Sequence, residues 1–230
     1  GGHGAAAVEA PATESFVAEG RTGPMFDTYL LLANPNPAPT TVTLRYLRPT
    51  GPVITEEITL APQSRKTRYL DEFPGLEDTD VSASITATLP IVVERAMYWP
   101  GNFHQWEEAH ASAGVTSTGT LWGLAEGEHG GGRAFETYIL VANPSDADAS
   151  VKLTLLRAAG LPPLVLTKTV PRNSRLTVSS WEFPLASGEK FGALVESTNE
   201  VPIVVERSLY WNGGGVPWGG GSNETGIKLR

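Results

Sequence analysis

Apolar and polar residues alternate at period two through residues 41–47 (Thr-Val-Thr-Leu-Arg-Tyr-Leu) and again through 151–155 (Val-Lys-Leu-Thr-Leu). This is the pattern of strands with one buried face. Residues 29–33 form a denser apolar run that stops at Asn34-Pro35-Asn36-Pro37. There, proline removes ladder donors and pushes the preceding residue toward extended turn geometry. Residues 49–52 (Pro-Thr-Gly-Pro) read as a tight turn. Further strands are expected over 53–60, 66–70, 81–89 and 91–99, with 5–8 and 16–18 as an opening pair. Short strands with turns every ~8–12 residues mark an antiparallel β-sandwich. No stretch carries the i, i+3, i+4, i+7 spacing of an amphipathic helix.

The pattern occurs twice. Phe26-Asp27-Thr28-Tyr29-Leu30-Leu31-Leu32-Ala33-Asn34-Pro35 returns as Phe135-Glu136-Thr137-Tyr138-Ile139-Leu140-Val141-Ala142-Asn143-Pro144. Pro90-Ile91-Val92-Val93-Glu94-Arg95 returns as Pro202-Ile203-Val204-Val205-Glu206-Arg207. Ala18-Glu19-Gly20 returns as Ala125-Glu126-Gly127, Ser64-Arg65 as Ser174-Arg175, and Trp106 as Trp218. The offset grows in small steps along the chain, as expected when insertions fall in loops and strands keep register. The fold class expected is therefore all-β, with two tandem antiparallel Ig-like β-sandwich domains. The first covers 1–105 and the second 106–217, while 218–230 starts a further repeat or forms a linking strand. Residues 2–8 also match 109–115, which reads as a piece of a longer array.

Composition narrows the function classes. The 230 residues include no Cys, which excludes disulfides, thiolate nucleophiles and zinc–thiolate sites. A net charge of −8 argues against nucleic acid, which calls for a basic surface. No apolar run reaches the ~20 residues of a membrane-spanning helix.

Few residues suggest chemistry. His3, His104, His110 and His129 lack the converging spacing of a zinc site, so neither a metal nor any other cofactor is expected. Glu77-Asp78-Thr79-Asp80 is the nearest approach to a calcium turn, but its counterpart Ser187-Gly188-Glu189-Lys190 has lost the acids. No Gly-x-Ser-x-Gly sequence or paired-carboxylate motif is present, and no catalytic residue is assigned. The repeated Glu-Arg dipeptides, Glu94-Arg95 and Glu206-Arg207, put one charge on each face of an apolar strand. Buried charges must be paired. The expected partners are Arg65 for Glu94 and Asp27 for Arg95, with Arg175 and Glu136 in the second copy. On that pairing, Glu94→Ala would cost ~3–5 kcal/mol if the pair is fully buried. Trp99, Trp106, Trp211 and Trp218 cluster at module ends with Tyr98 and Tyr210. They are read as packing against a neighbouring module, or alternatively as platforms for glycan rings, with Trp106 and Trp218 in Gly-rich linkers as the freer pair.

The Ala-Glu-Gly block, the Phe-Asp-Thr-Tyr-Leu-Leu-Leu-Ala-Asn-Pro block, the Pro-Ile-Val-Val-Glu-Arg-Ala-Met-Tyr-Trp block and Trp106 with His110 and Gly114 carry a resemblance. Together they resemble the tandem immunoglobulin-like or fibronectin-III-like modules of secreted and cell-surface proteins of actinobacteria and related bacteria. The resemblance implies an extracellular or cell-surface location and a tandem array, and it transfers no catalytic residue. The expected role is structural or adhesive: a stalk, spacer or fibre block, self-associating by strand exchange. The expected partners are neighbouring modules or copies of the chain. A carbohydrate-binding module for surface polysaccharide is the alternative.

Overall fold

The computed structural model describes residues 10–100 and 106–230. The chain is all-β, built of antiparallel sheets, with one short 3-10 turn among the described residues, at Ser180–Glu182. The first module holds β1 (Ala12–Val17), β2 (Asp27–Asn34), β3 (Thr40–Leu47), β4 (Ile54–Leu60), β5 (Ser64–Tyr69), β6 (Ser82–Trp99) and β7 (Glu108–Ala113). The second holds β8 (Leu121–Leu124), β9 (Glu128–His129), β10 (Glu136–Asn143), β11 (Ala149–Leu156), β12 (Leu164–Val170) and β13 (Ser174–Ser179). It continues through β14 (Glu189–Lys190), β15 (Gly192–Ser197), β16 (Val204–Gly213), β17 (Val216–Thr225) and β18 (Ile227–Lys228). No helix of the described residues is long and apolar enough to cross a membrane. The expected strand over 5–8 lies outside the described residues.

Each module is a β-sandwich, and in the second a two-stranded β9–β14 ribbon stands beside the two larger sheets. In the first, β3 and β1 flank the early half of β6, while β2 and β7 flank its late half. The strands expected at 81–89 and 91–99 are thus one strand that passes from sheet to sheet. Pro90 sits at the crossing, where the missing N–H costs no regular ladder bond. In the second module the equivalent path is broken into β15 and β16. Alternation then builds the cores. Leu30, Leu32, Val42, Leu44, Ile91 and Val93 point into the first sandwich, and Ile139, Val141, Val151, Leu153, Val195 and Val205 into the second.

The pairings relocate the expected module boundaries. The segment after 105 was expected to open the second module, yet β7 pairs with β6, and Val115 bridges Phe16. Likewise β17 pairs with β16 and β18 with β8, so residues 218–228 close the second module on itself. The second Gly- and Trp-rich segment, residues 212–221, read as following the module, is instead the end of β16, its turn and the first half of β17.

Candidate functional site

The repeated motifs converge at the seam between the modules. In β16, Val205 faces the second core, so Val204, Glu206, Ser208 and Tyr210 face outward. Their neighbours in register are Leu140 and Ala142 of β10 and Arg175 and Thr177 of β13. An outward sheet face is ordinarily wet, but this one is covered by the first module. Phe16, Ala18 and Leu47 pack on Leu140, Ala142 and Val204. Met97 and Trp99 pack on Tyr210, with Phe26 and Trp218 alongside.

Polar groups cross the same seam. One Glu206 carboxylate oxygen accepts the Ala18 backbone N–H at 2.7 Å, and the other accepts the Ser112 hydroxyl at 3.3 Å. The Arg95 guanidinium lies 3.7 Å from Glu206, and both side chains are essentially inaccessible. Arg95 also donates to Ser112 Oγ and His110 Nδ1, each at 3.0 Å. Because a guanidinium only donates, Nδ1 accepts and the ring proton sits on Nε2, which faces the Tyr210 hydroxyl at 3.2 Å. Arg175 donates to the Gly20 carbonyl at 2.8 Å and the Val81 carbonyl at 3.2 Å. Thr177 accepts from Arg175 and donates to Asp80, each bond 2.8–2.9 Å long. The Trp99 indole N–H donates to the Trp218 carbonyl at 2.9 Å.

A cavity of about 170 Å³ remains in the seam, lined among others by Glu19, Asp80, Arg175, Tyr138, Tyr210 and Trp218. Glu19 is buried there, and its Oε2 has no hydrogen-bond partner among the described residues. Burial pushes its carboxyl up to about 7. Arg95 and Arg175 oppose that shift, while Glu206 and Asp80 add to it. Burial likewise pushes the Tyr210 hydroxyl well above its ordinary range. The chemistry on offer is therefore a carboxyl that holds its proton to near neutrality and a guanidinium–carboxylate pair cut off from water. Glu206 has both oxygens tied to fixed donors.

The structure redistributes the expected ion pairs. Arg95 meets Glu206 of the other module, not Asp27, which accepts from Tyr69 and Trp106. Arg65 and Glu94 are exposed, and Arg65 donates to Thr67. Arg175 bonds backbone carbonyls, and Arg207 pairs with Glu126 at 3.2 Å. Strand parity placed these charges on the correct faces but could not say what covers each face. Asp78 and Asp80 of the acidic turn pair with Arg21. Among the described residues, no three His, Asp or Glu side chains gather as cation ligands.

The aromatic residues divide. Trp99 and Tyr210 are buried in the seam, with rings 5.3 Å apart, and Trp218 stacks on Tyr210 at 5.1 Å. Trp218, expected to be freer, is thus a seam residue. Trp106 is 47% exposed and lies 5.3 Å from the half-buried Tyr98. Trp211 packs against Phe135 at 5.7 Å. Reading the residues in sequence missed Ala18, Glu19, Gly20 and Ser112. The Ala-Glu-Gly repeat flagged the first three, but nothing in its spacing placed it beside Arg95.

No family model matches this chain, and no curated protein matches it. Among solved structures it is similar to the crystal structure of Thermotoga maritima 1070, at 14% identity and a TM-score of 0.43, over 46% of this chain and 96% of that one. It is also similar to the Anabaena sensory rhodopsin transducer, at 25% identity and a TM-score of 0.35, over 40% of this chain and 98% of that one. Likenesses this distant bear on neither the fold nor the function.

Proposed function

We propose that this chain is a non-enzymatic structural unit of an extracellular tandem array, a rigid two-module spacer or fibre block like the bacterial surface repeats it resembles. The observation that carries this reading is the Arg95–Glu206 pair, one residue from each module, buried together under apolar clusters that both modules share. Modules joined as beads on a string would leave both charges in water. Ordinary inter-domain interfaces are polar enough to permit relative motion. Here, separation would break the Glu206 bonds to Ala18 and Ser112 and wet the apolar clusters that both modules share, which opposes it.

The reading is tested with nitroxide labels at the exposed positions Glu57→Cys and Val165→Cys, on a chain with no cysteine of its own. A narrow distance distribution by pulsed electron resonance is expected. A broad one would overturn the rigid-unit reading. Exposure of Trp106 keeps polysaccharide binding as a second reading. A polysaccharide pull-down that retains the chain and loses it on Trp106→Ala would favour that reading.

A further inference from the structure

The seam is asymmetric. One partner is the end of a module, and the other is the outer face of the next module's β-sheet. The duplication gives both modules both surfaces, and among the described residues only one of each is used.

The first module's outer face is the unused acceptor. Its residues match the covered face of the second module in register: Glu94 stands at the place of Glu206, Leu31 of Leu140, Val92 of Val204, Tyr98 of Tyr210 and Arg65 of Arg175. Glu206 and Arg175 are buried, whereas Glu94 and Arg65 are exposed. Trp106 repeats Trp218 down to the backbone, with φ of 65° against 53°. Trp218 uses that conformation to offer its carbonyl to Trp99.

The second module's far end is the unused donor. Ala18 is fully buried in the seam, but its counterpart Ala125 is exposed. Leu47 is 1% exposed, but its counterpart Leu156 is 45% exposed. Arg207 stands where Arg95 stands and keeps Glu126 beside it, as Arg95 keeps Glu19. Trp211, the counterpart of Trp99, is partly exposed.

We infer that the outer face of the β5–β2–β6–β7 sheet binds the free end of the second module of another copy of this chain, so that copies stack head to tail by repeating the seam. This rests on the structural reading above and names its partner surface. In the repeated joint Arg207 meets Glu94, the Ala125 N–H meets the Glu94 carboxylate, and Arg65 meets the Gly127 carbonyl. A heterologous contact of this kind grows into a ring or a filament. Strand exchange is not needed for it, since β18 is already paired with β8 of its own module.

Departures from the template weaken the joint. Glu224 replaces Ser112 and brings a carboxylate toward Glu94. Ala109 replaces Gly221, where an added Cβ would stand 2.8 Å from the indole of Trp99.

The test is sedimentation of the full chain and its variants. Ala125→Arg blocks the donor end and Glu94→Arg the acceptor face, both at exposed positions. The unaltered chain should associate further as concentration rises, and each variant alone should stay monomeric. An equimolar mixture of the two variants retains one intact end and one intact face, so it should form a 1:1 complex and stop. The double variant Ala109→Gly/Glu224→Ser, which restores the template, should tighten association at least about tenfold. Two results would overturn the proposal: both the unaltered chain and this double variant staying monomeric at about 1 mM, or the mixture failing to pair. A monomer with a narrow label distance would leave the rigid-unit reading standing, whereas a broad distance would remove that reading too.

Discussion

Glu94 and Glu206 occupy the same motif in the same strand register, yet one is in water and the other is buried against Arg95. Their substitutions should diverge accordingly. Glu206→Ala leaves Arg95 buried without its counter-charge and should cost ~3–5 kcal/mol in chemical denaturation. Glu94→Ala should stay within about 0.5 kcal/mol, as exposed positions do. Glu19 gives a pH signature. Its folded value of about 7 stands above its ordinary 4.5, so the native state binds the proton more tightly than the unfolded chain. The stability it supplies is full below pH 4.5 and lost as pH rises through about 7, a change of roughly 3 kcal/mol. Glu19→Gln should flatten that slope in melting curves recorded across pH 4.5–7.5, with Arg95, Arg175, Asp80 and Glu206 left in place.

The strands were legible because a period of two needs only local sequence. Residues 41–47 and 151–155 fall within β3 and β11. The continuity of β6 through Pro90 was not legible, since proline reads as a stop unless the ladder is known to change partners there. The seam was hidden for a related reason. Alternation tells which side of a strand a residue takes, while the cover on the outer side comes from the other module, 94 residues away at Ser112–Glu206 and 188 at Ala18–Glu206. Gly221 in β17 shows the consequence. It looks like one more linker glycine, but it lies against the Trp99 indole. Gly221→Ala should force the seam apart locally and cost ~1–3 kcal/mol, read as a fall in melting temperature. The counterpart Ala109 is partly exposed on the first module's outer face.

With two cores bridged by shared clusters, the molecule should unfold as one unit despite being a duplication. Differential scanning calorimetry of the unaltered chain should give a single transition. Ala18→Arg, which drives a charged side chain into the apolar cluster that the modules share, should split it into two, because each sandwich retains its own core. A heterologous seam also has a front and a back, and duplication has let its halves drift apart. His110 and Ser112 face one joint, while Ser222 and Glu224 stand in their places at the other end. A coupling whose two parts are cut differently at every joint behaves like a key. In the stacking inferred above, the few side chains where the copies differ would set which end fits which face.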